Sequence, residues 1–534
     1  MHEHGHDHGA EVPKDFIKKQ KVTSYCIRII LFISLGSTSY GYSSSIIATT
    51  LSQPSFTKSM HLDTASNAAS LTGAMNGIWF AGGVVGGLIA GWFSSKYGRK
   101  LCVTVGVAMI LITSALLTAS VNAPMFIVFR FFNGWGAYQT LSQVPVWIAE
   151  LAPPQVRGVL VDLHAFLMLC GYLLAAYMGL AFYFVSGANQ WRGAMGIQMV
   201  CPAIVLCGIY WMPESPRYLL SKDRTEEAWQ VVQDLHSTKD DPEKEFAKRE
   251  FYQMRKQIEF DSRLPSSYLD ILKRPSLRRR ALMTILLEVC NQSSGILVIL
   301  NYGSIIYRTL GFNNVQILNL QGGFQLTGAV FGLLALTFVD RVSRPRLIGI
   351  ALLSCAATLA VLTGLQSTYL GTDNKGGLIA CVVMIYLFQA IYAGALDGAA
   401  FYYVAEIWPT HLRSKGLGIA VASLCATDIV FLQCAPLAFD NIGWKYFLVF
   451  IFVPAAGGVY IWWTYPDTLH KPLEEIAAIF GDEDMVMVYQ RDLDTAEIPL
   501  DAIEQDLPGN DKGLREQVVQ IEQANQGQVG ESTK

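Results

Sequence analysis

Charge is scarce in this chain. Only 16% of its 534 residues are Asp, Glu, Lys or Arg, against about 25% in a soluble domain. An ordinary water-soluble fold is excluded by that deficit, and 52% hydrophobic residues with a mean hydropathy of +0.33 point the same way. Neither sign of charge dominates. The formal net charge is −3, so no nucleic-acid partner is expected. The ten cysteines include no Cys-x-x-Cys pair. Several, such as Cys102, Cys170, Cys207 and Cys381, lie in apolar runs and read as buried small hydrophobes rather than disulfides or metal ligands. The polar N-terminus lacks the apolar core of a cleaved signal peptide. No catalytic constellation, metal set or cofactor fingerprint appears, so the chain is read as no enzyme and as needing no cofactor.

What the chain has instead is long apolar runs. They lie near 25–47, 72–94, 101–121, 125–149, 159–186 and 191–212, then near 279–307, 317–339, 346–366, 377–405, 415–438 and 443–465. Runs of about 20 residues are long enough to cross a bilayer, and a helix satisfies its own backbone groups there. The expected fold is an all-α membrane protein with twelve transmembrane helices in two six-helix halves, 24–212 and 279–465. Loops after the even-numbered spans carry Lys96, Arg99 and Lys100, then Arg157, then many cations in 217–280, then Arg341, Arg344 and Arg346, and finally Arg413 with Lys415. Loops after the odd spans hold isolated cations such as Lys58, Arg192 and Lys445. Positive residues stay inside, so both termini are placed in the cytoplasm.

Three polar segments complete the chain. The tail 1–23 alternates His2, His4, His6 and His8 with Glu, Gly and Asp. Such a tract can hold a divalent metal, and the plainer reading is a solvated tail without a function of its own. The segment 213–278 has helical spacing over Thr225–His236, and again over 242–260 after Asp241-Pro242, a helix-start signal. It reads as a cytoplasmic helical linker. The tail 466–534 turns acidic and then Gln-rich from about residue 482, as in disordered segments.

One motif occurs twice. Glu150-Leu-Ala-Pro-Pro-Gln-Val-Arg157-Gly158 returns as Glu406-Ile-Trp-Pro-Thr-His-Leu-Arg413, and Lys96-Tyr-Gly-Arg99-Lys100 has its counterpart in Arg341-Val-Ser-Arg344-Pro-Arg346. Each pair is separated by about 250 residues, so the chain is a duplicated unit of roughly half its length. Transporters are built in this way, with the substrate site between the halves.

At these residues the chain resembles the sugar porters of the major facilitator superfamily. Arg130…Gly134…Pro145…Glu150-x-x-Pro153-x-x-x-Arg157-Gly158 is similar to that family's fourth helix and following loop. Pro213-Glu214-Ser215-Pro216-Arg217 matches its PESPR motif. Asp340-Arg341-x-x-Arg344 and Glu406-x-x-Pro409-x-x-x-Arg413 resemble the second-half motifs. Pro466-Asp-Thr…Glu474-Glu475 resembles the closing segment, with Leu469 and His470 as departures. The resemblance runs from about Tyr40 to Phe480. It implies a conformational gating role for Arg99, Glu150, Arg157, Glu214, Arg217, Arg344, Glu406 and Arg413, pairs that hold the halves together on the inner side. The plainer reading is topology signals at the membrane surface. Ser95 stands where the family's first loop has Asp.

Charges deep in a bilayer cost about 2.5–3.5 kcal/mol even on permissive scales and tend to face a cavity or a partner. Glu288, Asp397 and Asp428 are three such residues, all in the second half, and are the proton-coupling candidates. Glu288, Asn291 and Gln292 are spaced i, i+3, i+4 on one helix face, with Gly295 on the same stripe. They resemble the family's QQ-x-SG signature. Amides both donate and accept, which suits hydroxyl-rich ligands. Gln292, Asn291, Asn301, Asp397 and Phe401 are the substrate-binding candidates. Interhelical hydrogen bonding is the alternative for the amides. Phe401, Tyr402 and Tyr403 offer a ring to stack on a ligand face. The family's first-helix Asp, often tied to proton coupling, falls on Ser43, and its usual sugar contacts are replaced: the fifth-helix Gln by Ala165 beside His164, an Asn by Leu297 and the tenth-helix Trp by Leu396.

The expectation is a secondary transporter of a sugar or related polyhydroxylated solute. It works by alternating access, coupled to protons, in the plasma membrane that the pattern Gly-Tyr-Ser…Gln-Pro-Ser-Phe favours. Its partners are the solute, membrane lipid and protons. A passive facilitator, a carrier of a non-sugar or cationic solute, and a non-transporting nutrient sensor stay open as alternatives.

Overall fold

The computed structural model describes residues 22–481. It leaves out 154–155, 188, 238–240, 242–243, 263, 265–266, 336, 338–340, 373, 470–475 and 477–478, and the side chains of 157–159, 162, 260 and 410. The histidine tract and the acidic tail lie outside the described residues, as do Asp340, His470, Glu474 and Glu475. Within them the regular structure is helical, with no strand.

The first half comprises Ser24–Thr50, Ala68–Tyr97, Arg99–Thr118, Ala123–Leu151, Arg157–Tyr183 and a broken sixth span, Asn189–Ile197 with Val200–Gly208. The second comprises a broken seventh span, Pro275–Gln292 with Ile296–Thr309, then Asn314–Ala335, Arg344–Tyr369, a tenth span of Lys375–Ile391 and Asp397–Ile407, then Arg413–Ile442 and Val449–Thr464. Several helices outrun their apolar cores because polar caps close their ends. Thr23 accepts from the Cys26 N–H, Asn122 from Met125 and Asn374 from Gly377, satisfying donors that a helix start leaves free.

Nine helical stretches among the described residues are long and apolar enough to cross a membrane, one of them, Arg413–Thr464, holding two spans. The first and fourth spans are not among the nine. Their interiors are polar: Ser43, Ser44 and Ser45 in the first and Arg130, Asn133 and Gln139 in the fourth are all buried. Polar side chains inside a span face the protein rather than lipid, so these two helices belong to the centre of the bundle.

The first span packs on the fifth, and the second and third pack on the fourth. In the other half the ninth packs on the tenth and twelfth, and the seventh on the eleventh. Between halves the second span lies along the eleventh and the fifth along the eighth. These two contacts are equivalent under the duplication, so the halves meet about a pseudo-two-fold axis. A hydrogen bond crosses the seam from Gln325 Nε2 to Ser45 Oγ at 3.1 Å.

The linker folds as four short helices, Pro216–Leu220, Thr225–His236, Glu245–Ser262 and Tyr268–Lys273. A small core of Leu219, Val232, Phe251 and Met254 holds the first three together. The third runs from Glu245, where Asp241 accepts from the N–H groups of Glu245 and Phe246. This bundle docks on the first half. Thr23 Oγ1 donates to the Leu235 carbonyl at 2.6 Å, and His236, in contact with Glu250, bonds the Leu151 carbonyl at 3.0 Å. The last linker helix touches the second span, where the Tyr268 hydroxyl donates to the Leu88 carbonyl at 3.1 Å.

Cys26, Cys102, Cys290, Cys355, Cys381 and Cys425 are buried and all ten thiols are free. Cys207, expected to be buried, is exposed on the sixth span.

Candidate functional site

The seventh span stops being helical in the middle of the membrane. Its first part ends at Gln292, and Gly295 takes a left-handed conformation with φ +81° before the helix restarts. Only glycine suits this position. The conformation disfavours a Cβ, and a Cβ would stand 2.7 Å from the Phe450 ring. The face Glu288–Asn291–Gln292 therefore ends at this break, and Gly295 does not continue its stripe as the i, i+3, i+4 spacing suggests.

These three residues are buried, at 0%, 0% and 3% exposure. Asn291 Nδ2 donates to Glu288 Oε2 at 3.4 Å. Glu288 Oε1, Asn291 Oδ1 and Gln292 Oε1 have no hydrogen-bond partner within the protein. Asp428, on the eleventh span and 1% exposed, adds a fourth such oxygen, Oδ2. A buried acceptor without a donor is costly, and Glu288, Asn291, Gln292 and Asp428 set four of them on the seventh and eleventh spans. The tenth span completes this face. It widens to a π-turn over Tyr392–Leu396, a feature frequent at functional sites, and Asp397 follows directly. The Tyr392 hydroxyl lies against Asp397 and Gln292, within electrostatic reach of Glu288 and Asp428.

The first half contributes an opposing wall of aromatic rings. Tyr40 lies 5.3 Å from Tyr138, 5.9 Å from Trp79 and 6.5 Å from Tyr172, centroid to centroid. Trp79 and Tyr138 are 5.0 Å apart. These rings come from the first, second, fourth and fifth spans. Trp79 is fixed by donating to Asn133 Oδ1 at 3.0 Å. Tyr138 lies within electrostatic reach of Asp428 across the seam, and Tyr172 within reach of Asp397. Behind the wall, Gln198 Nε2 donates to Ser43 Oγ at 2.6 Å. Arg130 stacks on Trp79 at 5.3 Å and donates to the Ser43 and Met75 carbonyls. His164 meets Ser37 Oγ at 2.5 Å.

On the cytoplasmic side each half closes its own ion pair. Arg99 forks onto Glu150 with two contacts of 2.8 Å, and the Ser215 hydroxyl donates to the same carboxylate. In the second half Arg344 Nη2 donates to Glu406 at 3.2 Å, and Thr468 Oγ1 donates to it at 2.6 Å. The two assemblies are equivalent: an arginine, the glutamate ending the fourth or tenth span, and a hydroxyl after the sixth or twelfth. These pairs join elements of one half and do not bridge between halves as expected. Glu214 accepts from the N–H groups of Arg99, Lys100 and Ser215 at 2.8–3.2 Å. Burial pushes its carboxyl above the usual range, and the three N–H bonds and Arg99 oppose that rise. Gly98 makes room for this carboxylate. It adopts φ +99°, and a Cβ there would stand 2.2 Å from Glu214 Oε2.

Residues 29–480 match the family described as Sugar (and other) transporter. The chain belongs to this family. Among its relatives, the MFS-type transporter criB of Aspergillus cristatus is 31% identical over 449 residues, covering 84% of this chain and 91% of the relative. The high-affinity glucose transporter of Kluyveromyces lactis is 26% identical over 442 residues, covering 79% and 80%. Among solved structures, the inward-open xylose transporter XylE from E. coli aligns with a TM-score of 0.69 at 22% identity, over 85% of this chain and 100% of XylE. XylE bound to 6-bromo-6-deoxy-D-glucose aligns with a TM-score of 0.72 at 22% identity, over 86% and 100%. The chain is therefore a multi-pass membrane transporter with the twelve-helix major facilitator fold.

The fold of this transporter family brings Gln292, Asn291, Glu288, Asp397 and Asp428 to one place. Asn301 is spent differently: it is 1% exposed, and its Nδ2 donates to the Leu297 carbonyl in its own helix at 2.9 Å. Tyr403 stacks on Tyr465 at 5.6 Å, Tyr402 lies under Arg344, and half-buried Phe401 packs against the core of the second half. Among the gating candidates, Arg217 is half-buried on a linker helix and Arg413 opens the eleventh span. The Arg157 side chain is outside the described residues. The aromatic wall was missed by sequence reasoning. A signal existed in tyrosines standing among serines in the first span.

Proposed function

We propose that the chain is a secondary transporter that carries a small polyhydroxylated solute, sugar-like in its hydroxyl pattern, by alternating access and coupled to protons. It transports the solute without chemical change and works in the plasma membrane with both termini cytoplasmic. The observation that carries this reading is the pairing of two faces across the seam between halves. One face is a row of donor-hungry amides and carboxylates around Gln292; the other is the aromatic wall around Tyr40. Hydroxyls meet the first and the apolar face of a ring lies on the second. Names among the relatives, a glucose transporter and a proton:xylose symporter, agree with this class of solute and drive. Asp397 is the proposed proton carrier, with Asp428 and Glu288 as reserves, and the cytoplasmic ion pairs set the balance of conformations. Uptake of a labelled panel of hexoses, pentoses and polyols into transporter-deficient cells tests the reading. Saturable uptake of at least one member is expected, and no uptake of any member at normal surface expression rejects it.

A further inference from the structure

We infer that the solute carries a positively charged nitrogen, held between the aromatic wall of the first half and the carboxylates of the second. The inference rests on the proposed function and narrows its substrate class.

Three carboxyls, Glu288, Asp397 and Asp428, share one region of the membrane interior. Among the described residues no hydrogen bond or ion pair joins a Lys or Arg to any of them. One buried cation, Arg130, sits in the first half and is engaged by two backbone carbonyls and the Trp79 ring. The acceptors left open are Glu288 Oε1, Asp428 Oδ2, Asn291 Oδ1 and Gln292 Oε1, each on a side chain at most 3% exposed. A neutral hydroxyl brings one donor and lone pairs of its own. A protonated primary amine brings three donors, no acceptor, and the charge that buried carboxylates need. Tyr138, within electrostatic reach of Asp428, and its neighbour Tyr40 supply aromatic rings, which attract cations, while Trp79 already holds Arg130. Carboxylates on one side and rings on the other favour a cationic nitrogen over a neutral group in the same space.

The full-length protein in proteoliposomes is tested with glucose, glucosamine, N-acetylglucosamine and choline as competitors against one another. Glucosamine is expected to bind about tenfold tighter than glucose or N-acetylglucosamine, the acetylated compound filling the same position without charge. Asp428→Asn and Glu288→Gln are each expected to bring that ratio close to one. The ratio is read within a single protein, so reduced folding does not imitate it. Glucose binding with no preference for the amine, or a preference that survives both neutral variants, overturns the inference and leaves the polyol reading standing. Choline binding without any sugar keeps the cationic nitrogen and overturns the polyol reading. Binding by none of the four overturns both.

Discussion

Gln292 is the last residue before the break in the seventh span, and its side-chain oxygen is buried without a donor. A ligand that supplies the donor gains a hydrogen bond at no further desolvation cost to the protein. Gln292→Ala is therefore expected to weaken solute binding by about 1–3 kcal/mol, the cost of leaving a buried polar group of the solute unmatched. Equilibrium binding to the purified variant measures this, and an unaltered Kd moves the solute away from the seventh span. Glu214 allows a second test, in the cytoplasmic layer. Its folded-state affinity for a proton is raised by burial, so the fold favours the protonated form. The sign follows from linkage. Stability contributed by this group is fully present at pH values below the unfolded carboxyl's range, and it is lost as pH rises through the raised folded value. Glu214→Gln keeps an oxygen for the three backbone N–H donors and removes the charge. The variant is expected to unfold at a temperature no lower than wild type near neutral pH and to lack the decline between acid and neutral pH. A variant with the wild-type slope places that titration on another group. The sequence made these residues visible as types, through an amide face and a PESPR motif. It was silent on Asn301, because an asparagine facing its own helix backbone looks the same in a sequence as one facing a ligand.

At the scale of the element, function is concentrated where helices are interrupted. The seventh span breaks at Gly295, the tenth widens at Tyr392–Leu396, and the sixth breaks between Ile197 and Val200. The first of these breaks has two separable causes. A Cβ at residue 295 meets a left-handed backbone, which costs an L-residue roughly 1–2 kcal/mol, and it also meets the Phe450 ring at 2.7 Å. Gly295→Ala is expected to destabilise by about 2 kcal/mol or more, read from thermal unfolding in detergent. Phe450→Leu added to it is expected to recover the steric part and not the backbone part. Full stability of the single variant is the result that removes the left-handed turn from this account. Twelve hydrophobic runs gave the order of the spans, because a bilayer admits little else. Interruptions were not legible in those runs. A Ser-Ser-Gly or Ala-Gly-Ala stretch is apolar enough to lie inside a span, and only packing decides whether the helix continues through it. The aromatic wall was hidden for a related reason: its rings come from four spans, and their convergence is a property of the bundle.

The whole molecule is two copies of one device. In each half an arginine, a glutamate and a hydroxyl tie the cytoplasmic ends of separate helices together, so each half is braced internally, and the proposed alternating access turns one half against the other. Residues that couple this turning to energy must then lie at the seam. In the first half the position that carries an Asp in the resembling sugar porters is Ser43, which cannot exchange a proton, and Arg130 beside it bonds backbone carbonyls instead of a carboxylate. The second half holds the ionisable groups. Glu288 and Asp428 are sealed, and each has an acceptor oxygen without a hydrogen-bond partner in the protein. Asp397 differs: it is half-buried, sits at the junction of the π-turn and the following helix, and is approached by the Tyr392 hydroxyl on one side and Tyr172 from the other half. That position suits a group that takes a proton from one side of the membrane and gives it up on the other as the seam opens alternately. Asp397→Asn fixes the uncharged form. It is expected to abolish accumulation against a gradient while solute exchange across the membrane continues, since exchange needs the halves to turn but no proton to leave. Uptake into proteoliposomes under an imposed pH gradient measures both. Wild-type uptake indifferent to the gradient removes proton coupling from the molecule. An Asp397→Asn protein that still concentrates solute moves the role to Asp428 or Glu288, where the proton and a cationic solute would compete for the same oxygen and the coupling would run as exchange.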